Sequence, residues 1–169
     1  MEIDHTSATG LNFVPQTNAF SISLWIKNYI GTGTGSYDNG VVIGKGSESG
    51  LQFQLEINEG VPTVYIGSIS GMNPSGLPSS ILKAESSLEW TIEPWHHILI
   101  TVPAAASGAY MYVDGVQYAL TGATIGTTVA SNIDWIIGSR RGSNNTDIYS
   151  LGWAGFFDEI CFLNKELTK

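Results

Sequence analysis

The chain has 169 residues, enough for one domain with its own hydrophobic core, and no second domain is expected. Hydrophobic residues make up 43% and charged residues 13%, with 20 glycines, which suits a turn-rich all-β protein and argues against a coiled coil or a disordered chain. A net charge of −8 with seven Lys plus Arg would repel a phosphate backbone across most of the surface, so nucleic acid and anionic membrane are discounted as partners.

The opening residues, MEIDHTSATG, carry acids and no apolar run, so they do not form a secretory signal. A short strand is expected over residues 11–14. Phe20, Ile22, Leu24 and Ile26 then alternate with Ser21, Ser23, Trp25 and Lys27, the period of a strand buried on its aliphatic side. Residues 31–40, GTGTGSYDNG, hold too many glycines for regular structure and predict a long exposed loop. Strand resumes at 41–43, and 44–50, GKGSESG, reads as another loop. The run from Leu51 to Ile57 alternates without a fault, which leaves Gln52, Gln54 and Glu56 facing water or a ligand. Asn58-Glu59-Gly60 turns the chain into residues 63–67 and completes a hairpin.

Residues 68–80, rich in Ser, Gly and Pro, form a loop by composition, and 87–92 a strand or an extended connection that carries Trp90. The stretch WHHILITVPAAASGAYMYVDGVQYAL predicts three consecutive strands, 95–102, 109–113 and 116–120. Asp114-Gly115 joins the last two, because both accept the positive φ that a tight hairpin turn needs. Ala109, Met111 and Val113 face one way and Tyr110 and Tyr112 the other; a sheet with one apolar face must bury it against a second layer. Residues 125–130 are ambiguous, 134–138 read as a buried strand, and 140–149, RRGSNNTDIY, as a polar loop leading into a closing strand. Cys161 is the sole cysteine; alternating with Ile160 and Phe162, it reads as a small core hydrophobe, and no disulfide within the chain can form. The longest apolar stretch, 98–106, is broken by Thr101 and Pro103 and is too short to span a bilayer, so no membrane insertion is expected.

Catalytic and metal motifs are sparse. Gly31-Thr-Gly-Thr-Gly35 is not followed by a helical pattern, residues 40–45 lack the Walker spacing, and no nucleophile-elbow pentapeptide occurs. His96 and His97 are neighbours on a strand, point to opposite faces and so cannot share one ion; both are expected to be structural.

Three segments, in order, resemble the laminin-G-like, concanavalin-A-like jelly-roll family, which includes the pentraxins. The strand from Phe20 to Lys27 resembles the family's early strand, Trp95-His-His-Ile98 followed after a loop by the run from Tyr110 to Gly115 its central ones, and the segment from Gly155 to Asn164 its closing one. The resemblance implies an all-β, two-sheet antiparallel β-sandwich over residues 1–169. Retaining β-glucanases of this superfamily carry their catalytic carboxylates on alternate residues of one strand. Asp158 and Glu159 are adjacent, which on a regular strand points them to opposite faces, and Glu2 and Asp4 alternate only at a terminus expected to be ragged, so a non-catalytic module is expected. The resemblance also raises Ca²⁺ as a cofactor: Tyr37-Asp38-Asn39 resembles the Asp-Asn ligand pair of the pentraxin loop. The pentraxins add an acidic cluster after the strand matching residues 136–138. Here Ser139-Arg140-Arg141 stands there instead, leaving Asn144, Asn145 and Asp147 as further oxygen donors.

Sugar rings stack on Trp and Tyr, and their hydroxyls take Asn, Gln, Asp and Arg, so a lectin site is an aromatic platform with a polar rim. Trp90, Trp153, Tyr37 and Tyr149, in or beside loops, are candidates for the platform, against the competing role of packing a loop onto the core. Asp38, Asn39, Arg140 and Arg141 are candidates for the rim, and the arginines would bias it toward uronic or sialic acids. Trp25, Trp95 and Trp135, inside strands, are expected to be structural. The expected function is a non-catalytic recognition or adhesion module that binds glycans, or else a capsid-decoration or tail protein making protein contacts without sugar, or a β-glycanase whose acids escape recognition. A chain that opens on Met with neither signal nor disulfide is expected on a virion surface, or as an extracellular module excised from a larger bacterial protein; its oligomeric state is left open.

Overall fold

Ile22, Leu24 and Ile26 are fully buried, whereas Ser23 and Lys27 are half-buried and Trp25 is exposed, so the period-two pattern of the early strand is realised in space. The computed structural model describes residues 1–4, 9–11, 13, 17–28, 40–47, 50–58, 61–69, 82–85, 95–105, 108–119, 121–122, 134–139 and 152–167. Its strands are β1 (Glu2–Ile3), β2 (Phe20–Asn28), β3 (Gly40–Ser47), β4 (Gly50–Asn58), β5 (Val61–Ile69), β6 (Leu82–Glu85), β7 (His96–Val102), β8 (Tyr110–Val113), β9 (Val116–Ala119), β10 (Thr121–Gly122), β11 (Trp135–Ile137) and β12 (Gly155–Leu163). A 3-10 turn spans Thr9–Leu11, and no α-helix occurs among the described residues.

The strands form two antiparallel sheets, one of seven in the order β1-β11-β3-β4-β5-β6-β10 and one of five in the order β12-β2-β7-β8-β9. The inner faces meet in one hydrophobic core. Phe20, Ile22, Leu24, Ile26, Ile98, Ile100, Met111 and Val113 come from the five-stranded sheet; Val42, Ile43, Phe53, Leu55, Ile57, Val64, Ile66 and Trp135 come from the seven-stranded one. This is the expected two-sheet sandwich. The meander β7-β8-β9 is as read from the sequence, and its last turn has Asp114 at φ 50° and Gly115 at φ 80°, a pair of positive values suited to the twist of a two-residue hairpin.

Several local expectations are corrected. Residues 44–47 continue β3 instead of looping, because Gly44 and Lys45 pair on both sides, with β4 and with β11, and an irregularity between Lys45 and Gly46 absorbs the glycine at φ 112°. No strand is found at Leu11 or Phe13. Leu11 closes the 3-10 turn and its carbonyl accepts from the Trp135 indole at 2.8 Å, while Phe13 stacks on Phe20 at 5.0 Å. The opening residues are instead the sheet edge: Glu2 and Ile3 pair with β11. Strands β6 and β10, which the sequence did not announce, lengthen the other edge of the larger sheet. The segments at 87–92 and 125–130 lie outside the described residues.

Cys161 is exposed, not buried. The pairing of β12 with β2 slips between Asp158 and Cys161, so Glu159 and Ile160 together oppose one residue of β2. One extra residue inverts the parity of everything after it: Ile160 and Phe162 pack against the core and Cys161 turns outward.

The outer faces of the two sheets differ. On the seven-stranded sheet Val41, Gln52, Gln54, Thr63, Tyr65 and Ile136 are each 3% exposed or less. On the five-stranded sheet Trp25, His97, Leu99, Tyr110, Tyr112 and Cys161 all reach solvent. The open face is therefore that of the smaller sheet.

Candidate functional site

Three neighbouring strands build a concave patch on that open face. In the pairing of β12, β2 and β7, Asp158 stands opposite Trp25, and Trp25 opposite His97. Trp95 precedes β7 with the parity of His97, so it emerges on the same side. Trp25 is 37% exposed and Trp95 39%, unusual values for a residue that normally hides most of its surface. The His97 ring lies 5.1 Å from the Trp25 ring at 48°, and its Nε2 is 2.8 Å from Ser23 Oγ, which fixes the platform from below.

The β-bulge supplies the polar part. Glu159 has φ 48°, a left-handed conformation that costs a non-glycine residue roughly 1–2 kcal/mol. Its backbone N–H donates to Asp158 Oδ1 at 2.8 Å, which holds the bulge closed. Asp158 and Glu159, both exposed, then line one pocket of about 370 Å³ together with Trp25 and Trp95. The expectation that adjacent acids must face apart fails here, because it assumed a regular strand and the bulge breaks that regularity.

The adjoining hairpin turn anchors β7. Asp114 Oδ1 accepts from the His97 backbone N–H at 2.9 Å, and Asp114 Oδ2 lies 2.7 Å from His96 Nδ1. His96 is buried and His97 is not, so the two histidines face opposite ways, as their adjacent positions implied.

The family model described as the concanavalin A-like lectin/glucanases superfamily, of the laminin G type, matches residues 3–169. The chain belongs to this superfamily. Solved structures share the fold at low identity. A native heptameric SAP-like pentraxin from Limulus polyphemus matches with a TM-score of 0.57 at 12% identity, over 92% of this chain and 68% of that one. Domains LG4-5 of the mouse laminin alpha1 chain match with a TM-score of 0.55 at 15% identity, over 92% of this chain and 39% of that one. No curated protein matches the chain by sequence.

Within this concanavalin A-like domain, Trp153 is not a platform residue. It is 8% exposed and packs edge-on against Phe157 at 4.7 Å, its backbone held by a bond to the Gly138 carbonyl at 3.0 Å. Trp25 and Trp95 are exposed instead of buried in the strands' packing as expected, whereas Trp135, 1% exposed, has the buried place expected of it. Tyr37, Asp38, Asn39, Trp90, Arg140, Arg141, Asn144, Asp147 and Tyr149 lie outside the described residues. Among the described residues no group of three or more His, Cys, Asp or Glu is placed to hold a metal ion. No helix of the described residues is long and apolar enough to cross a membrane.

Of the alternating polar side chains of β4, only Glu56 is partly exposed. Gln52 and Gln54 are shut in, and Glu56 accepts from Gln54 Nε2 at 2.5 Å and from the Tyr65 hydroxyl at 2.8 Å. Lys45 lies on the inner face with its ammonium 5.5 Å from the centre of the Trp135 ring. Burial lowers its pKa from 10.5 to about 8, and the Asp134 carboxylate offsets part of that drop.

Proposed function

We propose that this domain is a non-catalytic recognition or adhesion module that binds carbohydrate on the open face of its five-stranded sheet, working at an extracellular or virion surface. The observation that carries the reading is the pair of exposed tryptophans, Trp25 and Trp95, lining one pocket with Asp158 and Glu159. Indole faces take the C–H faces of a pyranose and carboxylates accept from its hydroxyls, which is the division of labour a sugar site needs. Both carboxylates are exposed, whereas the general acid of a glycosidase is usually shielded from water.

A glycan array with wild type and with Trp25→Ala plus Trp95→Ala, run with and without calcium, tests it. Binding that the double variant loses at least tenfold is expected; saccharide binding that survives it, or no saccharide bound at all, sinks the placement. A second reading, a glycoside hydrolase, is favoured by one observation, the bulge that brings two carboxylates to one pocket. Oligosaccharide turnover that Glu159→Gln abolishes would establish it.

A further inference from the structure

The pocket has a sign. Among the described residues, two carboxylates and two indoles line it. The chain as a whole carries −8, so the surrounding field also draws cations inward. Indole faces attract cations through their ring quadrupole, and a carboxylate beside them adds a charge-assisted hydrogen bond. A uronic or sialic acid, the ligand class the arginine-bearing loop would favour, meets repulsion here. A neutral sugar leaves the carboxylates with hydroxyls alone.

The conformation of Glu159 points the same way. Its φ of 48° is one that glycine adopts without strain, and a bulge of this shape usually places glycine there. The chain carries a charged side chain at the position where its backbone cost is greatest. Strain of this kind collects where a side chain must be aimed.

We infer that the Trp25–Trp95 pocket selects saccharides bearing a free ammonium group, the de-N-acetylated hexosamine class, over their N-acetylated, neutral and uronic counterparts. This rests on the carbohydrate reading above and adds the chemical class. The ammonium lies against Asp158 and Glu159 while the pyranose rings cover the indoles. A lysine side chain of a protein partner offers the same charge, but its single alkyl stem covers one indole at most and leaves the second exposed.

The test is calorimetric titration just below neutral pH, comparing tetramers of glucosamine, N-acetylglucosamine and a uronic acid, with polylysine as the protein-like cation. Three proteins are used: wild type, Asp158→Asn plus Glu159→Gln, and Trp25→Ala plus Trp95→Ala, each checked for fold by circular dichroism. Wild type is expected to bind the glucosamine tetramer at least tenfold tighter than the N-acetylated one. The neutralised variant should lose that preference while retaining the N-acetylated ligand, and the tryptophan variant should lose both. Equal affinity for the two tetramers in wild type, or a preference that survives neutralisation, overturns the ammonium selectivity and leaves the carbohydrate reading standing. Attraction of glucosamine that survives loss of both tryptophans marks a nonspecific polycation effect and also overturns it. Polylysine bound with the same tryptophan dependence, and no tetramer bound, overturns both readings.

Discussion

Glu159 shows how much one backbone angle decides. Glu159→Gly removes a left-handed strain of roughly 1–2 kcal/mol and adds about 0.5–1 kcal/mol of glycine entropy, so the variant should be as stable as wild type or up to about 1.5 kcal/mol more so. Its saccharide affinity should nevertheless fall about tenfold. A denaturant midpoint that drops would show that the side chain holds the bulge together instead. Lys45 makes a second prediction. Because its pKa falls to about 8 in the fold against 10.5 ordinarily, the unfolded chain binds the extra proton between those values. The cost of the buried ammonium is therefore fully present below about 8, and stability rises with pH up to about 10.5. The gain is on the order of 3 kcal/mol, at about 1.4 kcal/mol per pH unit, and Lys45→Met should abolish it; urea unfolding of both proteins just below pH 8 and near pH 10 reads the difference. The exposure of Trp25 was legible in the sequence, since it shares parity with Ser21, Ser23 and Lys27. The general tendency of tryptophan to be buried outweighed that parity, and Trp153, expected at a loop rim, is the one that is buried.

At the scale of the elements, periodic strands were legible and irregular ones were not. The strands β2, β4 and β7 follow from alternation alone, and the β8-β9 hairpin from Asp114-Gly115. The continuation of β3 through residues 44–47 could not be read locally, because glycines there are held in strand by partners on both sides that lie far away in sequence. The bulge in β12 carries no sequence mark, since the residue at its left-handed position is glutamate where glycine would have signalled it. The closing segment is packed with little tolerance. A Cβ at Gly40 would lie 2.6 Å from Trp153 Cα, and one at Gly155 would run into the Trp153 ring and the Lys27 carbonyl. Since a buried ring and backbone cannot step aside cheaply, Gly155→Ala should cost about 1–3 kcal/mol. Gly10→Ala, where nothing lies within 4 Å, should stay within about 0.5 kcal/mol of wild type. Equal midpoints for the two alanine variants in guanidinium would mean that Trp153 is not seated as described.

For the whole molecule, the governing feature among the described residues is that the outer face of the seven-stranded sheet is largely closed while that of the five-stranded sheet is open around Trp25 and His97 and closed only at Ser21 and Thr101. Val41, Gln52, Gln54, Thr63, Tyr65 and Ile136 on the outer face of the seven-stranded sheet are at most 3% exposed, whereas the five-stranded sheet keeps a mixed aromatic and polar face in contact with water. A partner that approaches a described sheet face therefore meets β12, β2 and β7, the strands that hold Asp158, Trp25 and His97. Cys161 reports on this arrangement directly, because it is the only thiol in the chain and pairs with Ser23 on that same face. It should react with one equivalent of a small maleimide in the native protein, without denaturant, at a rate near that of a free thiol. A saccharide seated in the pocket two residues away should slow the reaction severalfold, and the tryptophan double variant should lose that protection. The outcome depends on the bulge: in an unbroken strand the same cysteine would point inward among Ile22, Leu24 and Phe157 and react only on unfolding. Labelling that requires denaturant would show that β12 runs without the extra residue. Asp158 and Glu159 would then diverge to opposite faces, and the pocket that both proposals rely on would not exist.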